Sequence, residues 1–180
     1  PFPDQYRAVQ HALATIKPDV ILAETAFMGL LPLLLGDPTK RPPIVGIGVL
    51  PLAQMSKDVA PFGLGLAPLA KPFGPLRNRL LNALVRRVIF RSTHKLANQL
   101  LSKLGSAPLQ DFLFDYASRG PDRFLQLCAA EFEYPRRDLS ANLRFVGPVL
   151  PEAKADVDLP DWWAELENTQ YPVVHVTQGT

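Results

Sequence analysis

The 180-residue chain is 47% hydrophobic and 20% charged, which excludes a disordered polymer and fits a folded chain with its own core. A net charge of +2 is too small to argue for nucleic-acid binding, and the single cysteine, Cys128, excludes an internal disulfide framework and suits a reducing cytoplasm. The nineteen prolines, about twice average usage, are spread along the chain and mark turns and one long loop.

Asp4 suits an N-cap for a helix over residues 5–17, with Tyr6, Val9, Leu13 and Ile16 at helical spacing. Lys17-Pro18-Asp19 ends that helix and opens Val20-Ile21-Leu22-Ala23, an apolar run of the kind buried on both faces in a parallel strand. Glu24 and Thr25 follow, then a helix over 26–35. The apolar run 28–35 is far short of the roughly 20 residues a spanning helix needs, and Gly36-Asp37-Pro38 stops it. Arg41-Pro42-Pro43 leads into a second buried strand over 44–49. Helix, strand, helix, strand with short connections is the pattern of an α/β fold with a parallel sheet.

Regularity fails from residue 50 to 75, where prolines and glycines punctuate mainly apolar residues. A long apolar loop at a strand's carboxyl end has two readings, a wall for a hydrophobic ligand or a loop packed over the sheet. A long helix over 76–104 follows, stopped by Gly105 with Pro108 beyond. Leu81, Val85, Val88, Ile89 and Leu96 share one face of it, and Arg79, Arg86, Arg87 and His94 the opposite face. Such a basic amphipathic helix can lie on a membrane surface, but an apolar stripe of ordinary width favours a core helix with a solvated basic back.

Two more strands are expected, at 124–128 and 144–148, then a linker over 150–160 and a short helix capped by Asp161 that carries Trp162, Trp163 and Leu166. A last strand, Tyr171-Pro172-Val173-Val174-His175-Val176, runs into Thr177-Gln178-Gly179-Thr180. The linker is the domain boundary. Pro1-Phe2-Pro3 carries neither an initiator Met nor a signal-peptide start, so both ends read as cut.

Walker loops, G-x-S-x-G elbows, C-x-x-C pairs and H-E-x-x-H helices are absent. His11, His94 and His175 are isolated and read as structural; Asp156-Val157-Asp158 lies in the linker and reads as solvated charge. Glu24, a carboxylate at the carboxyl end of a strand, stands where α/β folds put their sites, or else flanks the helix that follows. Gly179 and Thr180 suit a phosphate, since glycine lets backbone approach closely and a hydroxyl beside free N–H groups favours an anion.

Three stretches in chain order carry a resemblance. "KPDVILAETAFMGLLPLL", "FEYPRRDLSANLRFVGPVLP" and "YPVVHVTQGT" resemble segments of family-1, nucleotide-sugar-dependent (UDP-) glycosyltransferases, above all bacterial macrolide-type members. The resemblance implies a glycosyltransferase-B fold, two Rossmann-like domains facing across a cleft. It implies a fragment of that fold: residues 1–150 as a partial N-terminal acceptor-binding domain, 151–170 as linker and short helix, and 171–180 as the start of the donor-binding domain.

The same resemblance assigns roles. Glu24 matches the carboxylate that orients a catalytic His contributed from upstream, although the family position is typically Asp. Gly179 and Thr180 would hold the donor phosphate, with no metal or other cofactor expected. Phe27, Leu50, Pro51, Leu52 and Met55 would line a pocket for a hydrophobic small-molecule acceptor. The implied reaction transfers a hexose from a UDP or dTDP sugar to a hydroxyl with inversion, in the cytoplasm, although the chain by itself should be inactive. Two other readings remain: a sugar-nucleotide 2-epimerase of the same fold, and a ligand- or membrane-surface-binding module without catalysis.

Overall fold

The computed structural model describes residues 2–69, 72–150, 152 and 158–176. The chain divides into two compact units, Pro1–Val149 and Leu150–Thr180. The first is an α/β unit built on a four-stranded sheet whose strands lie side by side in chain order, every neighbouring pair parallel.

Helix α1 spans Phe2–Thr15, so it starts before the expected cap. Asp4 sits in its first turn and pairs with Arg7 one turn on, where a negative charge favours the helix dipole. Lys17, at φ 52°, turns the chain out of the helix before Pro18. Strand β1 is Ile21–Glu24. It lies at the sheet edge with Leu22 64% exposed, which corrects the reading of a strand buried on both faces.

The expected helix over 26–35 is broken into a 3-10 turn, Met28–Leu30, and helix α2, Leu31–Leu35. The break follows from Glu24: its Oε2 accepts from Ala26 N–H and its carbonyl from Phe27 N–H, which fixes a tight turn where the helix would have begun. Strand β2, Ile44–Gly48, is central, and burial alternates along it. Ile44, Gly46 and Gly48 are buried while Val45 and Ile47 are half-buried, so one face of the sheet is covered more fully than the other.

From β2 the chain runs through the irregular segment to helix α3, Phe73–Leu84, a π turn at Val85–Ile89, and helix α4, Arg91–Lys103. The single long helix of the sequence reading is therefore interrupted. The π turn is wider than an α turn, so helical spacing carried across it misassigns the faces. Val85 is buried as expected, but Val88, Ile89 and Leu96 are all more than half exposed. Helix α5, Asp115–Arg119, returns the chain to strand β3, Arg123–Gln126, and strand β4, Leu143–Phe145, completes the sheet.

Two apolar clusters hold this unit. Leu31, Ala97, Leu101, Leu109 and Leu113 join α2 to α4 and the segment after it; Leu52, Phe124 and Leu143 join the irregular segment to β3 and β4. Gly46 matters to the second cluster, because a Cβ there would stand 2.7 Å from the Phe124 ring. At the other end of the strands, Arg41 donates to Asp122 Oδ2 at 2.6 Å and the Ile44 N–H donates to the same oxygen at 2.7 Å. That carboxylate ties the start of β2 to the start of β3.

In the second unit, helix α6 spans Trp163–Glu167. Asp161 makes no cap: Trp162 holds the N-cap position and makes no side-chain cap hydrogen bond. The rings of Trp162 and Trp163 lie 5.8 Å apart. Residues 171–176 form no strand, and Val173, Val174 and Val176 are exposed, contrary to expectation. A parallel strand needs a neighbouring strand to bond with, and the described part of this unit has none.

Candidate functional site

Open α/β sheets bind ligands outside the carboxyl ends of their strands. At that edge lies a cavity of about 250 Å³ with mostly apolar walls. Thr25, Ala26 and Met28 come from the turn after β1; Leu50, Pro51 and Leu52 come from the segment after β2. Phe90, from the junction of the π turn and α4, and Phe114, from the start of α5, supply aromatic wall. With Phe112 they form a trio of edge-to-face rings, centroids 5.3 to 5.5 Å apart, the arrangement aromatic quadrupoles prefer.

Phe124 and Gln126 of β3 also line the cavity, and Gly48 on β2 makes room for both. A Cβ at Gly48 would stand 2.2 Å from Gln126 Oε1 and 2.8 Å from Phe124. Gln126 Nε2 donates to the Leu50 carbonyl at 2.9 Å. Its Oε1 is buried with no partner among the described residues, a polar atom left open in an apolar lining.

Residues 50–58 belong to no helix or strand, yet side chains hold their backbone nearly residue by residue. The Leu52 N–H donates to Glu133 Oε1 at 2.7 Å. Arg136 donates to the Leu52 and Gln54 carbonyls at 2.9 and 2.7 Å. The Met55 N–H donates to Asp115 Oδ1 at 2.8 Å, and the Lys57 N–H to Asp138 Oδ2 at 2.8 Å. From α3, Asn82 and Asn78 donate to the Ser56 and Lys57 carbonyls at 2.8 and 3.1 Å.

Two of these groups are electrostatically unusual. Burial raises the Asp115 carboxyl above its ordinary pKa, while the Met55 N–H and Arg119 pull it back. Burial likewise lowers Arg136, opposed by Glu133, whose Oε2 lies 3.5 Å away. The two terminal nitrogens of this buried cation donate to the loop's carbonyls beside a carboxylate neighbour, while its Nε is buried without a partner among the described residues; the cation thus fixes the loop that carries the cavity wall.

Of the residues expected at a site, Leu50, Pro51 and Leu52 meet at the cavity. Phe27 and Met55 lie outside it: Phe27 lines a separate open groove with Glu24, and Met55 lines a hollow shared with Asn82 and Asp115. The half-buried Glu24 carboxylate accepts from Thr25 Oγ1 and from Ala26 N–H at 2.7 Å, so it holds the turn at the cavity's rim. Gly179 and Thr180 lie outside the described residues, as does Asp156. Phe90, Phe114, Phe124 and Gln126 were not foreseen. Phe112-Leu113-Phe114 was the available signal, two aromatics placed just ahead of the short helix α5.

The fold is a Rossmann-like α/β unit with an apolar cavity at the carboxyl ends of its strands. The relatives sharpen that. Over 99% of its length the chain is 38% identical to UDP-glycosyltransferase 2 of Phaeomoniella chlamydospora, covering 40% of that protein. It is 35% identical over its whole length to 4'-demethylrebeccamycin synthase of Lentzea aerocolonigenes, covering 42% of it. It is 30% identical over 99% of its length to UDP-glucosyltransferase A1 of Starmerella bombicola, covering 38% of it. The chain thus spans about two fifths of the length of the curated relatives it matches. No protein-family model matches it, and no solved structure does.

Proposed function

We propose that this chain is the acceptor-binding part of a nucleotide-sugar glycosyltransferase that moves a hexose onto a hydroxyl of a lipophilic small molecule with inversion. The observation that carries the reading is the apolar cavity at the carboxyl edge of the sheet, on a chain similar along its whole length to UDP-glycosyltransferases. The Phe90 and Phe114 rings and the apolar loop suit a lipophilic acceptor, whether phenolic, polyketide or lipid. Gln126 Oε1 would accept a hydrogen bond from a hydroxyl or N–H of that molecule, fixing its orientation.

In this reading a base takes the acceptor's hydroxyl proton, and the oxygen attacks the anomeric carbon. The bond to the departing diphosphate breaks as the new C–O bond forms, through an oxocarbenium-like state. Glu24 would orient the base and stabilise its cation, exchanging the Ala26 N–H for the base's N–H. Gly179 and Thr180 would hold the donor phosphate, with the hydroxyl easing its departure. The free Cys128 thiol supports a reducing compartment such as the cytoplasm.

Incubation of the full-length polypeptide with UDP-glucose and a panel of phenolic and polyketide acceptors, read by mass spectrometry, tests the class. A mass gain of one hexose is the expected product; hydrolysis or epimerisation of the donor alone would overturn the reading. Glu24→Gln should lower kcat about a hundredfold while leaving donor KM within about twofold. Unchanged kcat would return Glu24 to holding its turn.

A further inference from the structure

We propose that the exposed side of the arm formed by α3, the π turn and α4 is a docking surface for an anionic phospholipid bilayer. Between Asp58 and Asp111 the sequence holds eight of the chain's nineteen Lys and Arg, and none of its seventeen Asp and Glu. On that arm Phe73, Leu76, Leu80, Leu84 and Val88, three or four residues apart, are each between 47% and 69% exposed. They are not the side that packs inward, which is formed by Gly74, Asn78 and Val85.

Cations accompany the stripe. Arg79, Arg87, Arg91 and Lys95 are exposed, and no ion pair engages them among the described residues. Arg87, Arg91 and Lys95 also line a broad open depression beside α4. The preceding segment extends the apolar area: Arg77 donates to the Ala67 carbonyl at 2.8 Å and the Leu69 carbonyl abuts Gly74, so exposed Leu66 and Leu69 lie next to the Phe73 end.

An apolar stripe flanked by Lys and Arg sinks into the boundary between headgroups and acyl chains while its cations meet anionic headgroups. Charge decides against the other occupants. A second copy docked by two-fold symmetry would set these cations against their own counterparts. Nucleic acid would satisfy the cations and leave the stripe in water.

Vesicle flotation of the full-length polypeptide tests the proposal. Binding should be at least about tenfold stronger to phosphatidylcholine vesicles carrying about 30% phosphatidylserine than to phosphatidylcholine alone, and should weaken in about 0.5 M NaCl. Leu80→Glu with Leu84→Glu, and separately Arg87→Glu with Arg91→Glu, should each reduce binding about tenfold at an unchanged melting temperature. The control pair Arg123→Glu with Arg144→Glu, exposed cations on the sheet, should bind as the parent does. No binding, or equal binding by all variants, overturns the proposal. So does a dimer that Leu84→Glu disperses, which would give the stripe to a second copy. So does failure of a maleimide to label Leu84→Cys in a Cys128→Ser background without vesicles, which would give it to other parts of a longer polypeptide.

Discussion

At the residue scale, Asp115 gives the cavity loop a pH dependence. Its folded pKa lies above the ordinary carboxylate value because burial disfavours the charge. The folded state therefore holds the proton more tightly than the unfolded chain does. Stability from this group is fully present below the unfolded value and is lost as pH rises through the folded one. Asp115→Asn removes that loss and keeps an oxygen for the Met55 N–H, so its melting temperature should gain on the parent's as pH rises from 3 to 7. Asp115→Ala strands the same N–H and should cost about 1–3 kcal/mol at low pH, a cost that shrinks as pH rises and the parent loses the contribution of its carboxyl. A difference between Asn and parent that stays flat with pH would show that the charge does not matter. None of this was legible from the residues alone, since Asp115 and Met55 are brought together only by the fold. For Leu50, Pro51 and Leu52 the sequence went further: the resemblance put them at a pocket wall and they line the cavity, whereas Met55, expected with them, does not.

At the scale of elements, the strands were the most readable part because each is a short apolar run beside a turn. The bounds of the four that form shifted by up to three residues, while the edge position of β1 and the unformed strand over 171–176 escaped the pattern, which records hydrophobicity but not neighbours. The π turn left no such trace. No residue type in Val85–Ile89 marks it, and the faces read across it came out wrong beyond Val85. Asp122 shows what does hold elements in register. The Arg41 hydrogen bond lowers its pKa first, with the Ile44 N–H adding to it against a desolvation penalty. Its stabilisation is thus present above the unfolded carboxylate value and is lost as pH falls through the lowered folded one. Asp122→Asn should cost about 1 kcal/mol near neutrality, the partial exposure of the carboxylate included, and less near pH 2. Urea melts at the two pH values give the comparison; equal costs would assign the effect to lost shape rather than lost charge.

For the whole molecule, the sheet sets the order of rigidity. Strands β2 and β3 are bonded on both sides, whereas β1 and β4 each have one partner. Hydrogen exchange in the 180-residue chain should therefore be slowest at residues 44–48 and 123–126 and faster at residues 21–24. Exchange at β1 as slow as at β2 would mean that something else covers that edge. The parallel α/β architecture was legible because its alternation of helix and strand is local. The cavity was not, because its wall gathers residues from five separate stretches, at 25–28, 50–53, 62, 90 and 114–126. The second unit is legible as a composition change alone, and its expected strand lacks the neighbours a strand needs.

The wall-forming segment after β2 takes its shape from side chains of residues 115–138 and of α3 rather than from ladder bonds of the sheet. Residues 50–58, together with Asp115, Glu133, Arg136 and Asp138, make a transplantable cassette. Exchanging the set between relatives should carry the shape of the cavity wall with it while the strands remain as they are, whereas moving the loop without these four charged partners should leave it shapeless.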